Sequence, residues 1–302
     1  MSHAGRRGGL THGLVLVLIT AYSLFPIYLM AVESLKPVHE DVFGSPLFVR
    51  HPQLEWYRDL FERPEAATGS EKGSGEAEPG TAKEAATSSP IFFLVWLRNT
   101  AIVFAGALAV ILTAAVAAGY ALGRLRPPGW QWWRRALFAA YLVPQTLLFI
   151  PIYQLVYRLQ LDDSLQALVL VYPMLALPFC VWLLSAYFQR LSPDVEESAY
   201  VEGADRFTSF LRIVLPMSWP AVAAAGIFAL GVISSDFMFA SILLPNKLHQ
   251  TLAAGLGTMD IGLEDLSVVA GVNLAALAVV PVCAIFAAAY VRGLTTAMLE
   301  GA

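Results

Sequence analysis

Residues 195–216 read VEESAYVEGADRFTSFLRIVLP, and they stand between two of the most apolar runs in the chain. A connection between two buried segments needs only a handful of residues. This one is long, acidic at its start and divided by a glycine. With Ser192-Pro193-Asp194 before it, it carries a helix-start signature: Ser192 as N-cap, Pro193 in the first turn, and Asp194, Glu196 and Glu197 against the positive end of the helix dipole. Gly203 is a natural stop, because it accepts a left-handed backbone. Asp205 can cap a second helix, whose Phe207, Phe210, Leu211 and Val214 recur at i, i+3, i+4 and i+7 as one apolar stripe. Pro216 ends it. The prediction is two short helices about a glycine hinge. Periodicity leaves open whether their stripe lies on lipid or fits a groove on a partner.

Outward from this stretch, the chain is built for hydrocarbon. Hydrophobic residues fill 57% of 302 positions and charged residues 14%, fewer than a water-soluble domain carries. The apolar residues gather into runs near Leu14–Val32, Ala101–Leu122, Ala136–Tyr157, Leu165–Phe188, Ala221–Leu244 and Val268–Tyr290. Each is long enough to cross a bilayer core, which takes roughly 20 helical residues. They are continuously apolar, not alternating, which excludes a strand barrel. The first run follows Arg6 and Arg7 but offers no small-residue cleavage site, so it reads as an anchor and not a signal peptide. The fold class is therefore an all-α integral membrane protein with about six transmembrane helices. Cys180 and Cys283 both fall inside spans and read as packing residues.

The loops set the orientation. Arg6, Arg7, Arg124, Arg126, Arg134, Arg135, Arg190, Arg206, Arg212 and Arg292 fall on one side if six spans alternate. The opposite loops carry Asp162 and Asp163 with Arg158, and Asp260, Glu264 and Asp265 with Lys247. The positive-inside rule then places both termini and the 195–216 stretch in the cytoplasm. Residues 65–90, EAATGSEKGSGEAEPGTAKEAATSSP, hold no aromatic and no large aliphatic side chain. They cannot bury enough surface to offset ordering and read as a disordered external insertion within a single 1–302 domain. The IFFLVWL that follows is too short to span before Arg98 and Asn99, and is expected in the interface.

The stretch that opened this reading resembles the EAA loop of binding-protein-dependent ABC importer permeases, in particular the maltose-type carbohydrate branch. That family has Glu-Ala-Ala, three residues, Gly, nine residues, then Ile-x-Leu-Pro. Here Glu197, Ser198 and Ala199 fill the triplet, Gly203 the glycine, and Ile213, Leu215 and Pro216 the end. Glu202 stands where the family often has Asp, and Ala204 follows the glycine. Ser198 replaces the first Ala, and being small it keeps close approach possible. SLKP (34–37), RNTAIV (98–103), AAGYALGRLRPPG (117–129), VPQTLLFIPIY (143–153) and YVRGLTTAMLEGA (290–302) also resemble family stretches.

The resemblance implies an EAA loop between the fourth and fifth spans, with Phe207 on its apolar face, docked to a cytoplasmic ATPase. It implies as partners a second, homologous permease, two ATPase subunits, an extracytoplasmic substrate-binding protein and membrane lipid, in a bacterial or archaeal plasma membrane. No GxxxxGK[ST] motif occurs, so ATP and Mg are expected in the ATPase, with no cofactor, metal or catalytic residue in this chain.

Within the membrane, Asp236 is the one acid well inside a span, and an ionisable group there suggests a pathway or a polar partner. The family usually has Trp-Asn-Asp-Phe at this point. Here Ser234 and Ser235 replace the first two, while Asp236 and Phe237 remain. Local capping competes with a pathway role for Asp236, and helix packing competes with it for Asn273. Pro144, Pro151, Pro173 and Pro178 are expected to break the third and fourth spans. Tyr153, Tyr172, Phe179 and Trp182 offer stacking faces for a sugar or packing surfaces for neighbouring helices. An importer of a carbohydrate by alternating access is the reading that results. A permease for a non-sugar solute stands behind it. Ion-coupled transport would need intramembrane charge relays, and it leaves the organised loop unexplained.

Overall fold

The computed structural model describes residues 4–37, 45–61, 90–259 and 267–300. Residues 65–89 of the expected insertion, Asp260, Glu264, Asp265 and the last two residues lie outside that set. Among the described residues every regular element is helical. In chain order they are α1 (Ala4–Glu33), α2 (Glu55–Asp59), α3 (Pro90–Tyr120, continued by a π turn, Ala121–Leu125), α4 (Trp130–Tyr141), α5 (Phe149–Arg158) and α6 (Leu165–Phe188). There follow α7 (Asp194–Val201), α8 (Arg206–Met217, π-helical over Phe210–Val214), α9 (Trp219–Ser235), α10 (Met238–Leu243), α11 (Leu252–Gly257) and α12 (Ser267–Glu300).

Four helices are long and apolar enough to span, over Val15–Glu33, Phe92–Leu125, Leu165–Phe188 and Ser267–Arg292. Two bent pairs bring the number to six if each is one span: α4 with Gln145–Arg158, bent by 91°, and α8 with α9, bent by 69°. The chain also divides into two compact units, Met1–Phe93 with Thr258–Ala276, and Leu94–Gly257 with Leu277–Ala302.

The structure corrects three boundaries. IFFLVWL is not a separate interfacial segment but the opening turns of α3, which runs on through Arg98 and Asn99. The Asn99 amide explains the continuity: it is buried and donates to the carbonyls of Leu248 (2.9 Å) and Gln250 (3.0 Å), so the helix loses nothing by carrying it inside. The fourth span is unbroken, since Pro173 and Pro178 both lie inside the continuous α6. Of the other two prolines, Pro144 sits at the break, while Pro151 stands in the first turn of α5, where a missing N–H is no loss. The fifth span stops at Ser235 and resumes at Met238.

In the larger unit, α6 is the enclosed element. Its Leu168, Val171, Tyr172, Ala176, Cys180, Leu184 and Phe188 are buried between neighbours. Against it α3 sets a stripe with a four-residue repeat: Val103, Ala107, Ile111, Ala115, Gly119 and Gly123. Small residues let the backbones close. A Cβ on Gly123 would stand 2.7 Å from the Ser185 carbonyl oxygen and 2.8 Å from the Phe188 Cβ.

In the smaller unit, the SLKP segment forms a buried knot after α1. Lys36, 1% exposed, pairs with Glu33 at 2.9 Å, and Ser34 Oγ lies 2.8 Å from the Tyr57 hydroxyl. Trp56 Nε1 donates to the Lys36 carbonyl. Beyond Gly271 no described side chain of α12 is buried, and along α1 only Val32 is, as expected of surfaces that meet lipid.

Candidate functional site

The loop that leaves α6 begins with Ser192, whose Oγ accepts from the Asp194 N–H (3.3 Å) and donates to the Asp194 carboxylate (2.9 Å). The helix α7 therefore starts at Asp194, with Pro193 rather than Ser192 at the N-cap position, one residue later than its sequence signature suggests. It ends in a Schellman motif. Ala204 N–H bonds to the Ala199 carbonyl (2.9 Å) and Gly203 N–H to that of Tyr200 (3.0 Å), with Gly203 at φ 90°. The glycine is required there because a side chain would put a Cβ on a left-handed backbone. Asp205 then caps α8, its Oδ1 accepting from Thr208 N–H at 3.2 Å. Hydrogen bonding from Thr208, chiefly its side chain, holds this exposed carboxyl below the ordinary carboxylate range.

The apolar stripe of α8 is split, where one face was expected. The π turn at Phe210–Val214 turns Phe210 and Val214 inward: Val214 is buried and Phe210 packs at a tilt against Tyr120, ring centroids 4.5 Å apart. Phe207 and Leu211 stay exposed, and beside them α7 exposes Tyr200 and Val201. Of the other residues singled out, Glu197, Ser198, Glu202 and Pro216 are exposed, Ala199 is buried, and Ala204, Ile213 and Leu215 are half-buried.

One cluster was not legible in the motif. Glu196, which the sequence offered only as a helix-dipole acid, is 7% exposed. Its Oε2 meets Arg124 Nε at 3.1 Å and its Oε1 accepts from the Tyr120 hydroxyl at 3.3 Å. The other guanidinium nitrogens of Arg124 donate to the carbonyls of Leu191 (3.0 Å) and Ser192 (3.2 Å). The planar fork thus satisfies three acceptors at once, which an ammonium could not match in geometry. Tyr120 also packs edge-on against Phe188. Residues 120–124 at the end of α3, the start of the loop and the first turn of α7 are pinned at one point. The only signal in the sequence was an arginine in AAGYALGRLRPPG and one acid more than the helix start needs.

At the other end of α3, Trp96 Nε1 donates to the Lys247 carbonyl (2.6 Å) and Leu252 N–H donates to Thr100 Oγ1 (2.7 Å), beside the Asn99 bonds. Asp163 accepts from Asn246 N–H and lies 3.0 Å from His249 Nδ1. Arg124 stands 25 positions beyond Asn99 on this helix, about 37 Å at 1.5 Å per residue, so the two sets of contacts lie a bilayer apart.

Of the intramembrane candidates, the structure brings Tyr172 and Asp236 together. The buried Tyr172 hydroxyl donates to Asp236 Oδ2 (3.0 Å). The same carboxylate accepts from the N–H groups of Phe239 (3.2 Å) and Ala240 (3.1 Å), capping α10 where α9 breaks. Phe237 is exposed on one side, and its ring lies against Gly257. Asn273 belongs to the other unit, where its Nδ2 donates to the Met30 carbonyl (3.0 Å), a helix-to-helix bond. Phe179 and Trp182 pack with Phe138, Tyr141 and Phe228 in one group of rings, with centroids 4.1 to 5.8 Å apart. Tyr153 stacks on Phe149. Among the described residues no three His, Cys, Asp or Glu side chains converge as a metal site would require.

Comparison with known proteins matches residues 115–294 to a family described as "Binding-protein-dependent transport system inner membrane component". A putative ABC transporter permease protein, ORF1 of Streptomyces antibioticus, is 33% identical over 204 residues, 68% of this chain and 88% of the relative. The trehalose/maltose transport system permease protein MalG of Thermococcus litoralis is 25% identical over 297 residues, 94% of each chain. Among solved structures, a chain of a bacterial ABC transporter involved in the import of alginate superposes with a TM-score of 0.68. The match covers 95% of this chain and 97% of that one at 16% identity, a likeness of fold.

Proposed function

The chain belongs to the family of binding-protein-dependent transport system inner membrane components, and we propose that it is the permease subunit of an ATP-driven importer that moves a carbohydrate into the cell by alternating access. The α7–α8 corner carries this reading. It is a rigid two-helix element, locked by the Gly203 turn, that presents Tyr200, Val201, Phe207 and Leu211 outward. An amphipathic corner of this kind suits a groove on a partner, where shape and apolar contact transmit force. The partner is a cytoplasmic ATPase subunit, present in two copies, which binds the ATP and Mg. This chain supplies no catalytic residue. Glu197, Ser198, Glu202 and Pro216 stand at the rim of the docking surface, while Ala199, Ala204, Ile213 and Leu215 support it from beneath.

A second, homologous permease completes the membrane unit, and an extracytoplasmic binding protein delivers the solute. Both termini lie in the cytoplasm. The carbohydrate assignment rests on the resemblance to MalG, whose own name gives trehalose and maltose. Asp236, Phe237 and Tyr172 border the translocation path, with Asp236 acting there as a cap rather than an ion relay. Its carboxylate already holds three donors, which weighs against ion coupling.

The test is a pull-down from detergent of the wild-type permease and of Gly203→Pro with the candidate ATPase. Proline cannot adopt φ 90°, so the corner is lost. Wild type should retain the ATPase, and the variant should lose it while keeping its helicity by circular dichroism. Equal retention by the two would sink the docking role of the corner. Uptake of labelled maltodextrins against labelled amino acids and polyamines then separates a carbohydrate importer from one for another solute.

A further inference from the structure

Between Glu84 and Asp162 the chain holds no acid, yet four arginines fall at one place, Arg124, Arg126, Arg134 and Arg135. Among the described residues only Arg124 of these is paired with a carboxylate, Glu196. The guanidinium carbons of Arg126 and Arg134 both lie against the Trp130 ring, 5.6 and 5.8 Å from its centroid. The indole draws each cation in, so two positive charges are gathered on one side chain with no anion to balance them. Arg126 is exposed at the left-handed residue that closes the π turn, and Arg135 is exposed on the first turns of α4. Alongside, Trp132 (63% exposed) and Trp133 (54%) form an edge-to-face pair.

The position of this group fixes its surroundings. The candidate spanning helix that contains α3 ends at Leu125 between Arg124 and Arg126, charges that belong at the membrane boundary, so α4 begins at the edge of the hydrocarbon. Arg134 Nη1 donates to Gln189 Oε1 (2.6 Å), which puts the group at the same membrane face as the start of the α7–α8 loop. Indoles at that depth sit at the boundary of acyl chain and headgroup, and arginines beside them reach the phosphate layer.

We propose that Arg126, Trp130, Arg134 and Arg135, with Trp132 and Trp133 as apolar anchors, form a binding site for an anionic phospholipid headgroup. The phosphodiester completes the charge that the Arg126–Trp130–Arg134 stack leaves unbalanced, and the two exposed indoles lie along the acyl chains. A zwitterionic lipid fits worse, because its ammonium would face the guanidiniums. The site does not depend on which solute is carried.

Native mass spectrometry of the delipidated full chain, titrated with phosphatidylglycerol or phosphatidylcholine, tests this. Phosphatidylglycerol should be retained more tightly. The double variant Arg126→Asn/Arg135→Gln should lower its affinity about twenty-five-fold, each arginine near an anionic surface contributing about fivefold, and leave phosphatidylcholine unchanged. Asparagine tolerates the left-handed backbone at 126, and neither change touches the Gln189 bond, so the fold is kept. Trp132→Ala/Trp133→Ala should weaken both lipids. Equal retention of the two lipids by wild type, or an undiminished phosphatidylglycerol affinity in the arginine variant, overturns the proposal. So does displacement of the lipid by millimolar inorganic phosphate, which would make this a site for free anions. Loss of ATPase co-purification with phosphatidylglycerol retention intact would make it a protein-docking surface and likewise overturn it.

Discussion

The guanidinium of Arg124 meets the carboxylate of Glu196 at 3.1 Å although 72 residues separate them. The pair joins the end of a membrane-spanning helix to the first turn of the proposed docking corner. Movement of that corner is therefore passed to α3 without the loop having to stiffen along its whole length.

Removing one partner leaves the other charge poorly solvated. Arg124→Gln or Glu196→Gln should each cost about 2 to 3 kcal/mol, below the range for a fully buried pair because both side chains keep some water contact. Thermal unfolding in detergent reads this directly. The exchange Arg124→Glu/Glu196→Arg should regain little, since the arginine would no longer reach the carbonyls of Leu191 and Ser192. Full recovery would mean that charge alone, and not the fork, is what the site uses.

Gly203→Ala is a milder counterpart of the proline variant. A left-handed alanine costs about 1 to 2 kcal/mol, so the corner should be weakened but present. The expected result is ATPase retention reduced several-fold with unchanged expression.

At the crossing of α3 and α6 a single methyl group has no room. Gly123→Ala should force the helices apart and destabilise the larger unit by about 1 to 3 kcal/mol, the usual range for overpacking. Ala105→Leu on the exposed side of the same helix is the control and should be silent. Comparing the melting temperatures of the two variants checks the assignment of faces.

The cap at Asp205 has a pH dependence of definite sign. Its carboxyl is held below the ordinary value in the folded chain. Its contribution is therefore complete above about pH 3.9, the unfolded value, and is lost as pH falls through the lower folded value. Protection of the Thr208 amide, taken relative to its intrinsic exchange rate at the same pH, should fall under those acidic conditions in wild type. In Asp205→Asn, which caps without titrating, the amide should show no such acid-induced opening.

Asp236→Asn distinguishes a cap from an ion relay. Asparagine keeps one acceptor for the Tyr172 hydroxyl or the α10 amides, so uptake in right-side-out or reconstituted vesicles loaded with ATP should fall by less than tenfold and remain ATP-dependent. Dissipating the proton gradient should leave it unaffected. Loss of uptake together with sensitivity to an uncoupler would restore ion coupling.

The spans were legible because hydrocarbon imposes length and composition, and the hinge because Gly203 and Asp205 carry local backbone signals. Breaks were harder to read. Pro173 and Pro178 mark a break in isolation, but α6 is enclosed along its length and continues through them. The split stripe of α8 depends on a π turn that no periodicity announces. Glu196 and Arg124 look like ordinary interfacial charges until the fold brings them together. Sequence showed their types, and only tertiary contact showed that they share one site.

The two sets of contacts on α3 also behave as a phase lock. Each residue of an α-helix advances the facing direction by about 100° and the length by about 1.5 Å. One residue inserted between Asn99 and Arg124 would swing the arginine a quarter-turn or more away from Glu196 while Asn99 stayed seated. Seven would bring it nearly back into phase but about 10 Å too far along. The composition of this stretch is free to drift among small and apolar residues, but its residue count is not. Across lineages, insertions and deletions should therefore collect in the connections and be excluded from this one stave.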